Sequence, residues 1–322
     1  MKPVLTLLAT ILACDICFAE DPQLRQEAIR LLERANAVSL APNLPNLERT
    51  VTFRVFNAGS ADQDGTFTRV VVQGTGRRDE TTFGDYHVIN VWASGHLATT
   101  RTKELAPPEV VTVMRLTPIF LGRFDHEDVI QAITERQMGG RSLRCIEFDT
   151  IAGQKTENNE LCIDAGNGTL VSEKIGSELI ENSDFFPFAG ALIPGKISYS
   201  YSGVPKIEIA QTMTELTDAT PNVLAAPPNA QIRHFCTTYR RPLGESMPQP
   251  KPGNGGEDFD VVVRGIIGAD GKVHDAVVQS SERPDVNSEA LGLIQQWAFM
   301  PGLCNGRPNP TEASFTLHFQ AR

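Results

Sequence analysis

The distribution of apolar and polar positions predicts a chain built mostly of β-strands. Several segments are rich in β-branched and aromatic residues and are bounded by turn signals: residues 50–56, 66–74, 86–92, 143–149, 160–164, 169–175, 196–201 and 206–216. Apolar residues recur at helical spacing in residues 24–37 and 127–138, whereas residues 110–116 fit a helix or a strand. The pattern predicts an α+β layout in which a large, mostly antiparallel sheet is accompanied by one or two helices.

The C-terminal segment predicts a small ββαβ unit. Phe259–Ile267 alternates between apolar and polar residues, a glycine turn follows at residues 269–272, and the return strand spans residues 273–280. Asn287 is the expected N-cap of a helix that Pro301 ends, and residues 314–320 form the last strand. The predicted apolar stripe of this helix consists of Ala290, Leu291, Ile294, Trp297 and Ala298.

A segment rich in proline and glycine divides the chain. Residues 242–257 contain four prolines and four glycines, a composition typical of a tether or a long exposed loop. We therefore predict a signal peptide at residues 1–19, an antiparallel-sheet domain at 20–222, a linker at 223–256 and a small C-terminal domain at 257–322.

The N-terminus is typical of a secretory signal. Lys2 precedes an uncharged apolar run at residues 4–13, and small residues at positions 17 and 19 fit cleavage after Ala19. The run is shorter than the roughly 20 apolar residues that a membrane span needs. An alternative is a lipobox at residues 11–14, which would make Cys14 an outer-membrane lipid anchor. Either way, we expect a periplasmic protein with no transmembrane span in the mature chain.

The cysteines fit an oxidising compartment. Once the signal leaves, Cys145, Cys162, Cys236 and Cys304 remain, an even number. Cys145 and Cys162 lie in two strand-like segments on either side of a polar loop, so we expect a disulfide across a hairpin. Cys236 and Cys304 form the second expected pair. A metal site is the competing interpretation, but no close Cys/His spacing supports it.

Charge and motifs narrow the classes of function. The chain of 322 residues carries a formal charge of −10, which argues against nucleic-acid binding and against attraction to anionic lipid surfaces. Residues 190–196 match the GxxxxGK skeleton of a phosphate loop, but Ile197 stands where a Ser or Thr should hold Mg²⁺. We expect no catalytic residues, no metal site and no cofactor.

The C-terminal segment resembles the TonB C-terminal domain family. The resemblance rests on an Asp-Gly-Lys-Val turn at 270–273, paired serines at 280–281, and the run from Ser288 through Trp297-Ala-Phe-Met-Pro. Gly-Arg-Pro at 306–308 and a closing Phe-x-Leu-x-Phe at 315–319 complete it. The resemblance implies a module that adds an extended segment of an outer-membrane receptor to its sheet edge.

Residues of about 25–220 are similar in layout to the LolA-like outer-membrane lipoprotein carriers. The segments that carry this similarity are 66–80, 162–171 and 193–196. The resemblance implies a strongly curved sheet over helices that holds an acyl chain. Another curved-sheet periplasmic domain is the alternative.

The sequence as a whole favours a non-enzymatic, exported binding protein. Unlike an energy transducer of the TonB type, it is expected to lose its N-terminal apolar segment, and its linker is too short to cross the periplasm at about 3 Å per residue. The expected partner is an envelope protein, such as an outer-membrane TonB-dependent receptor; a lipid or lipoprotein carrier and a hydrolase are the alternatives. The candidate partner strands are Phe259–Ile267 and the strand that contains Ser314, Phe315, Thr316, Leu317, His318 and Phe319.

Overall fold

A computed structural model describes residues 21–41, 43–56, 61–117, 124, 127–152, 155–217, 221–250, 258–281 and 283–320. The predicted signal peptide with Cys14, and residues 251–257 of the predicted linker, lie outside these ranges.

The chain forms mostly strands, with a large antiparallel sheet and few helices, which agrees with the predicted α+β layout. In chain order the elements are α1 (Pro22–Ser39), β1 (Leu47–Val55), β2 (Gln63–Val72), β3 (Gly76–Phe83), β4 (Tyr86–Ala93), β5 (His96–Arg101), α2 (Pro108–Leu116), β6 (Asp128–Met138), β7 (Arg141–Ala152), β8 (Lys155–Asp164), β9 (Leu170–Ile175), β10 (Glu178–Ser183), β11 (Phe186–Phe188), β12 (Ala191–Ile193), β13 (Lys196–Tyr201), β14 (Val204–Glu215), β15 (Gln231–His234), β16 (Tyr239–Arg240), β17 (Leu243–Ser246), β18 (Phe259–Ile267), β19 (Val273–Ser281), α3 (Asn287–Ile294), β20 (Ala298–Met300), β21 (Leu303–Cys304), β22 (Arg307–Pro308) and β23 (Thr311–Phe319). None of the helices in the described part of the chain has the length and apolar character needed to cross a membrane.

The chain divides into two compact units. The smaller unit combines Met1–Ala37 with Leu121–Gly176, and the larger unit combines Val38–Phe120 with Ser177–Arg322. The smaller unit is assembled from two segments that are distant in the sequence.

In the smaller unit, strands β6 to β9 form an antiparallel meander next to helix α1. The prediction of a helix at residues 127–138 is wrong, because this segment is strand β6. A register shift between Ile130 and Ala132 lets Ile130 and Ile133 pair opposite Phe148 and Ile146, on the same face of the sheet. A bulge adds one residue to the two-residue period of a strand, so the spacing imitates that of a helix.

The first disulfide lies inside this meander. Cys145 and Cys162 stand directly opposite each other in the register of β7 and β8, and their sulfurs are bonded. Both cysteines are buried. The structure thus pairs the two cysteines across a hairpin, and the predicted disulfide is confirmed.

The N-terminal part of the larger unit is an antiparallel sheet with strand order β15-β5-β4-β3-β2-β1-β14-β13-β10. Helix α2 packs against one face of this sheet, which we call the α2 face, through Val110, Val113 and Leu116. The sheet contributes to the same hydrophobic cluster the buried residues Val51, Phe53, Val55, Phe67, Phe83, Tyr86, Val88, Ile197, Ile207 and Ile209.

The C-terminal part of the larger unit is a three-stranded sheet of order β19-β18-β23 that packs against α3. The predicted helix is shorter than expected: it ends at Ile294, so Trp297 lies after it and Ala298 belongs to strand β20. The predicted cap is also wrong, since Val286 is the N-cap and Asn287 is already helical. A preceding short 3-10 helix, Pro284–Val286, moves the start of α3.

The predicted linker at 223–256 contains paired strands within its described residues. Strand β16 pairs with β21, and β17 pairs with β20. The indole Nε1–H of Trp297 donates to the carbonyl oxygen of Pro248 at 2.9 Å. Backbone pairing does not depend on side-chain hydrophobicity, and proline keeps its carbonyl acceptor, so a proline-rich composition does not prevent this packing. A disulfide between Cys236 and Cys304 fixes the segment further.

Removal of the Cys145–Cys162 disulfide tests the stability of the smaller unit. In a double variant with Cys145→Ala and Cys162→Ala, the unfolding free energy should fall by about 3 kcal/mol, because the unfolded chain regains the freedom of a closed loop. Urea denaturation of oxidised wild-type and variant protein measures the change. An unchanged midpoint would contradict the assignment of a stabilising bond.

Candidate functional site

The candidate site is strand β23, which lies at the edge of the C-terminal sheet. It pairs with β18 through an unbroken antiparallel register from Phe259 opposite Phe319 to Ile267 opposite Thr311. Among the described residues, no strand pairs with its other side. Strand β18 is central, since β19 pairs with its second side, so the expectation that Phe259–Ile267 could be the free edge is wrong.

The side chains of β23 divide sharply between the core and the solvent. Phe315, Leu317 and Phe319 are buried in the cluster beneath α3. The alternate residues Ser314, Thr316 and His318 are exposed. Of the predicted contact residues, therefore, the apolar ones hold the strand in the domain, and only the polar ones present side chains to solvent.

The backbone of β23 presents its unpaired groups at the same polar positions. The N–H of Gly268, just beyond β18, bonds to the carbonyl of Lys272 and so points toward β19. Because successive residues of a strand point alternately to its two neighbours, odd-numbered β18 residues from 259 to 267 point toward β23. Their partners are the odd-numbered residues of β23. The N–H and C=O groups of residues 312, 314, 316 and 318 therefore face the open edge.

His318 carries a fixed polar network at the end of this edge. Its Nδ1 lies 2.8 Å from Oδ1 of Asp260, directly across the ladder, and its Nε2 lies 3.7 Å from Oδ2 of Asp258. The hydrogen bond to Asp260 and the charges of both carboxylates raise the pKa of His318 above 6.5. A protonated His318 thus places a positive charge beside the open strand at mildly acidic pH.

Arg264 fixes the opposite end of the edge. Its buried side chain forms an ion pair with Glu312 of β23. Its Nη1 also donates to the carbonyl oxygen of Ala106 at 3.2 Å. The pair holds the start of β23 in place through a cation that is almost removed from water.

An aromatic cluster supports the edge strand from below. The rings of Trp297 and Phe315 meet edge-to-face with centroids 5.5 Å apart, and Phe299 lies 5.7 Å from the same phenylalanine. Phe259 stacks on Phe319 at 5.1 Å. Aromatic pairs of this kind stabilise a fold beyond the burial of their surface area. These contacts therefore hold β23 in the sheet although only one of its sides is paired.

Sequence reasoning located β23 but missed the residues that surround it. Asp258, Asp260, Arg264 and Glu312 gave no signal, because their roles depend on which residues face each other across β18 and β23. Alternation within Phe259–Ile267 could have shown that Arg264 lies on the face opposite the core-forming residues. It could not have supplied Ala106, which is distant in the sequence.

The C-terminal segment matches a known family. Residues 255–321 match the family model described as Gram-negative bacterial TonB protein C-terminal, in agreement with the resemblance seen in the sequence. A comparison of the whole chain with curated proteins finds no match.

Solved structures give distant similarities. A LolA superfamily protein from Nitrosomonas europaea is 12% identical, with 61% of this chain and 96% of that chain covered and a TM-score of 0.37. A DUF1329 family protein from Desulfovibrio piger is 10% identical, with 62% and 96% covered and a TM-score of 0.41. The MucA/MucB complex from Pseudomonas aeruginosa is 14% identical, with 88% of this chain and 99% of that chain covered and a TM-score of 0.30. The first of these proteins belongs to the class that residues 25–220 resemble in sequence.

The polar network at β23 makes a testable prediction about His318. The variant Asp260→Asn should lower the pKa of His318 toward 6.5, because it removes the main hydrogen bond to the imidazolium. An NMR titration of the His318 ring protons measures this. Asp285→Asn is the matched control, since Asp285 pairs with Arg283 instead.

The raised pKa of His318 also determines how the free energy of unfolding changes with pH. A folded-state pKa that is raised contributes stability below the unfolded value near 6.5, and this contribution is lost as the pH rises through the folded value. The stability difference between wild type and Asp260→Asn should therefore be largest in mild acid. A difference that grows toward alkaline pH would contradict the assignment.

Proposed function

We propose that the protein is an exported, periplasmic binding protein that docks on an envelope partner by adding a partner strand to β23. The observation that carries the proposal is the open edge of β23, with the backbone groups of residues 312, 314, 316 and 318 facing outward. An edge strand of this kind pairs with an extended segment through main-chain hydrogen bonds. No catalytic residue is part of the proposal.

The family match supports this mode of binding. Residues 255–321 match the C-terminal family of TonB, whose domain is expected from the sequence resemblance to add a receptor segment to its sheet. The two disulfides are consistent with a compartment outside the cytoplasm. The proposed partner is an envelope protein with an extended segment, such as an outer-membrane TonB-dependent receptor.

The two faces of the edge predict the chemistry of the incoming strand. One face continues the row of Phe315, Leu317 and Phe319, and so favours apolar side chains at alternate positions of the partner. The other face presents Glu312, Thr316 and His318. A partner segment that alternates apolar and polar residues fits both faces.

A proline on β23 tests the pairing. Thr316→Pro removes an outward N–H while leaving the bonds to β18 intact, and an edge-strand position of this kind tolerates proline. Thr316→Val, which keeps the N–H, is the matched control. With a photo-crosslinking residue at Ser314, the Val variant should capture an envelope protein in intact cells, and the Pro variant should lose at least about 90% of that product, as expected for one lost main-chain bond of about 1.5 kcal/mol.

Two further measurements test whether the variants are folded and whether the partner pairs with the open edge of β23. Equal denaturation midpoints for the Pro and Val variants show that the domain is folded. Amide hydrogen exchange with the captured partner should then protect the amides of residues 312, 314, 316 and 318. Equal crosslinking by both variants, or protection confined to the other residues of β23, would refute the proposal.

A second candidate function is the carriage of a lipid or lipoprotein by the N-terminal sheet. It is favoured by the apolar cluster of the α2 face, against which the nine-residue helix α2 packs. Displacement of α2 would expose Val51, Phe67 and Val88 to an acyl chain. Mass spectrometry of the gently purified protein distinguishes the two functions, since a carrier retains an acyl-chain ligand.

A further inference from the structure

A row of polar residues crosses the α2 face next to its hydrophobic cluster. Arg49 of β1, Arg69 of β2 and Asp79 of β3 lie directly opposite one another in the strand registers. Arg77, two residues before Asp79, is on the same face. The neighbouring row of the sheet, with Val51 and Phe67, belongs to the apolar core. Three arginines thus lie together at the border of a hydrophobic region; we call Arg49, Arg69 and Arg77 the arginine cluster.

The carboxylate of Asp79 forms the ion pairs of this cluster. The guanidinium of Arg69 donates to both oxygens of Asp79, each at 2.8 Å. Nε of Arg77 lies 3.5 Å from Oδ2 of the same Asp79. Within the part of the chain that the structure describes, Asp79 is the only acidic side chain within ion-pair distance of the three arginines. The cluster therefore carries more positive charge than its partner neutralises.

Arg49 is the most unusual member. Its residue is only 4% exposed, and its Nε donates at 2.9 Å to Oε1 of Gln211, a neutral amide. Burial, with the nearby charge of Arg69, lowers the pKa of Arg49 to about 10. A buried cation that lacks a carboxylate partner is unfavourable on its own and is stabilised by any anion that binds nearby.

Arg69 and Arg77 connect this buried charge to the solvent. Their side chains are 30% and 39% exposed, so each is partly accessible to an anion in solution. Nε of Arg77 is nonetheless buried and has no hydrogen-bond partner. The Arg77 guanidinium carbon lies over the ring of Trp92, 4.0 Å from its centroid, and this cation–π contact favours that position of the side chain. In the arginine cluster, the partly exposed guanidinium groups of Arg69 and Arg77 thus lie beside the buried positive charge of Arg49.

We propose that the arginine cluster is a binding site for an anionic phosphate group, contacted by Arg69 and Arg77 and stabilised at longer range by Arg49. Guanidinium groups bind phosphate through paired N–H donors, and a phosphate offers enough acceptor oxygens for two arginines at once. The overall charge of −10 works against nonspecific anion binding, so affinity here must come from the local geometry. The site is independent of β23.

The phosphate group has two chemical sources, a soluble phosphate ester or a lipid headgroup. The border position of the cluster, beside the apolar residues Val51 and Phe67, suits both. The proposal concerns the shared phosphate chemistry, and the arms of the experiment separate the sources.

The full chain contains only two tryptophans, so the indole N–H signal of Trp92, beside Arg77, is easily assigned in an NMR spectrum. Inorganic phosphate should shift the indole N–H signal of Trp92, because Arg77 lies over its ring. The indole signal of Trp297, whose N–H donates a hydrogen bond to the carbonyl oxygen of Pro248 in the C-terminal part of the chain, is the internal reference. Binding to a lipid headgroup is tested separately: cosedimentation compares the amount of protein bound to phosphatidylglycerol vesicles with the amount bound to phosphatidylcholine vesicles.

Arg77→Gln is the decisive variant, and Arg78→Gln is its matched control. Arg77→Gln leaves the Arg69–Asp79 and Arg49–Gln211 contacts in place. Arg78 is the adjacent residue on β3, points to the opposite face and pairs with Glu80, so its loss changes the charge equally. We expect phosphate to bind about tenfold more weakly to Arg77→Gln and with unchanged affinity to Arg78→Gln. If Arg77→Gln unfolds, Arg77→Lys replaces it, with weaker binding expected because the paired donors are lost.

Each outcome decides the question. A Trp92 shift with phosphate that Arg77→Gln weakens, without preference for anionic vesicles, supports a soluble phosphate ester. A preference for phosphatidylglycerol vesicles that Arg77→Gln abolishes supports a lipid headgroup. If wild-type Trp92 does not respond to phosphate and no vesicle preference exists, the proposal is wrong. It is equally wrong if Arg77→Gln and Arg78→Gln lose binding to the same extent.

Discussion

The antiparallel ladder between β18 and β23 is the contact on which the C-terminal domain depends. It brings the first and last strands of that domain together and places β18 in the centre of the sheet. One side of β23 is satisfied by this ladder, and the row of Phe315, Leu317 and Phe319 fixes its orientation. The same pairing leaves the other side of β23 open, so the interaction that completes the domain also creates its candidate binding edge.

The segment before this domain contributes to it more than its composition suggests. Strand β17 pairs with β20, Trp297 donates to Pro248, and Cys236 is bonded to Cys304. Each contact uses backbone groups, a ring N–H or sulfur, none of which requires an apolar segment. The described part of the proline- and glycine-rich region therefore belongs to the surface of the C-terminal domain and is not a free tether.

The two proposed sites use different physical chemistry. At β23 the available groups are neutral backbone donors and acceptors, and the charges nearby are paired, as in Arg264 with Glu312. In the arginine cluster the charges are incompletely paired, and burial makes that imbalance costly. Backbone pairing recognises an extended chain with little regard to its sequence, whereas clustered guanidinium groups recognise an anion.

The sequence by itself determined the class of fold, most strands, both cysteine pairs and the family of residues 255–321. These features follow from local periodicity and from motifs that need no distant contact. Tertiary structure decided the rest, since a bulge at residue 131 gave β6 a helical spacing and a tight turn after Ile294 ended α3 before Trp297. The open edge, the Arg264–Glu312 pair and the arginine cluster depend on which strands become neighbours. That choice is made by packing over long sequence distances, which no local pattern encodes.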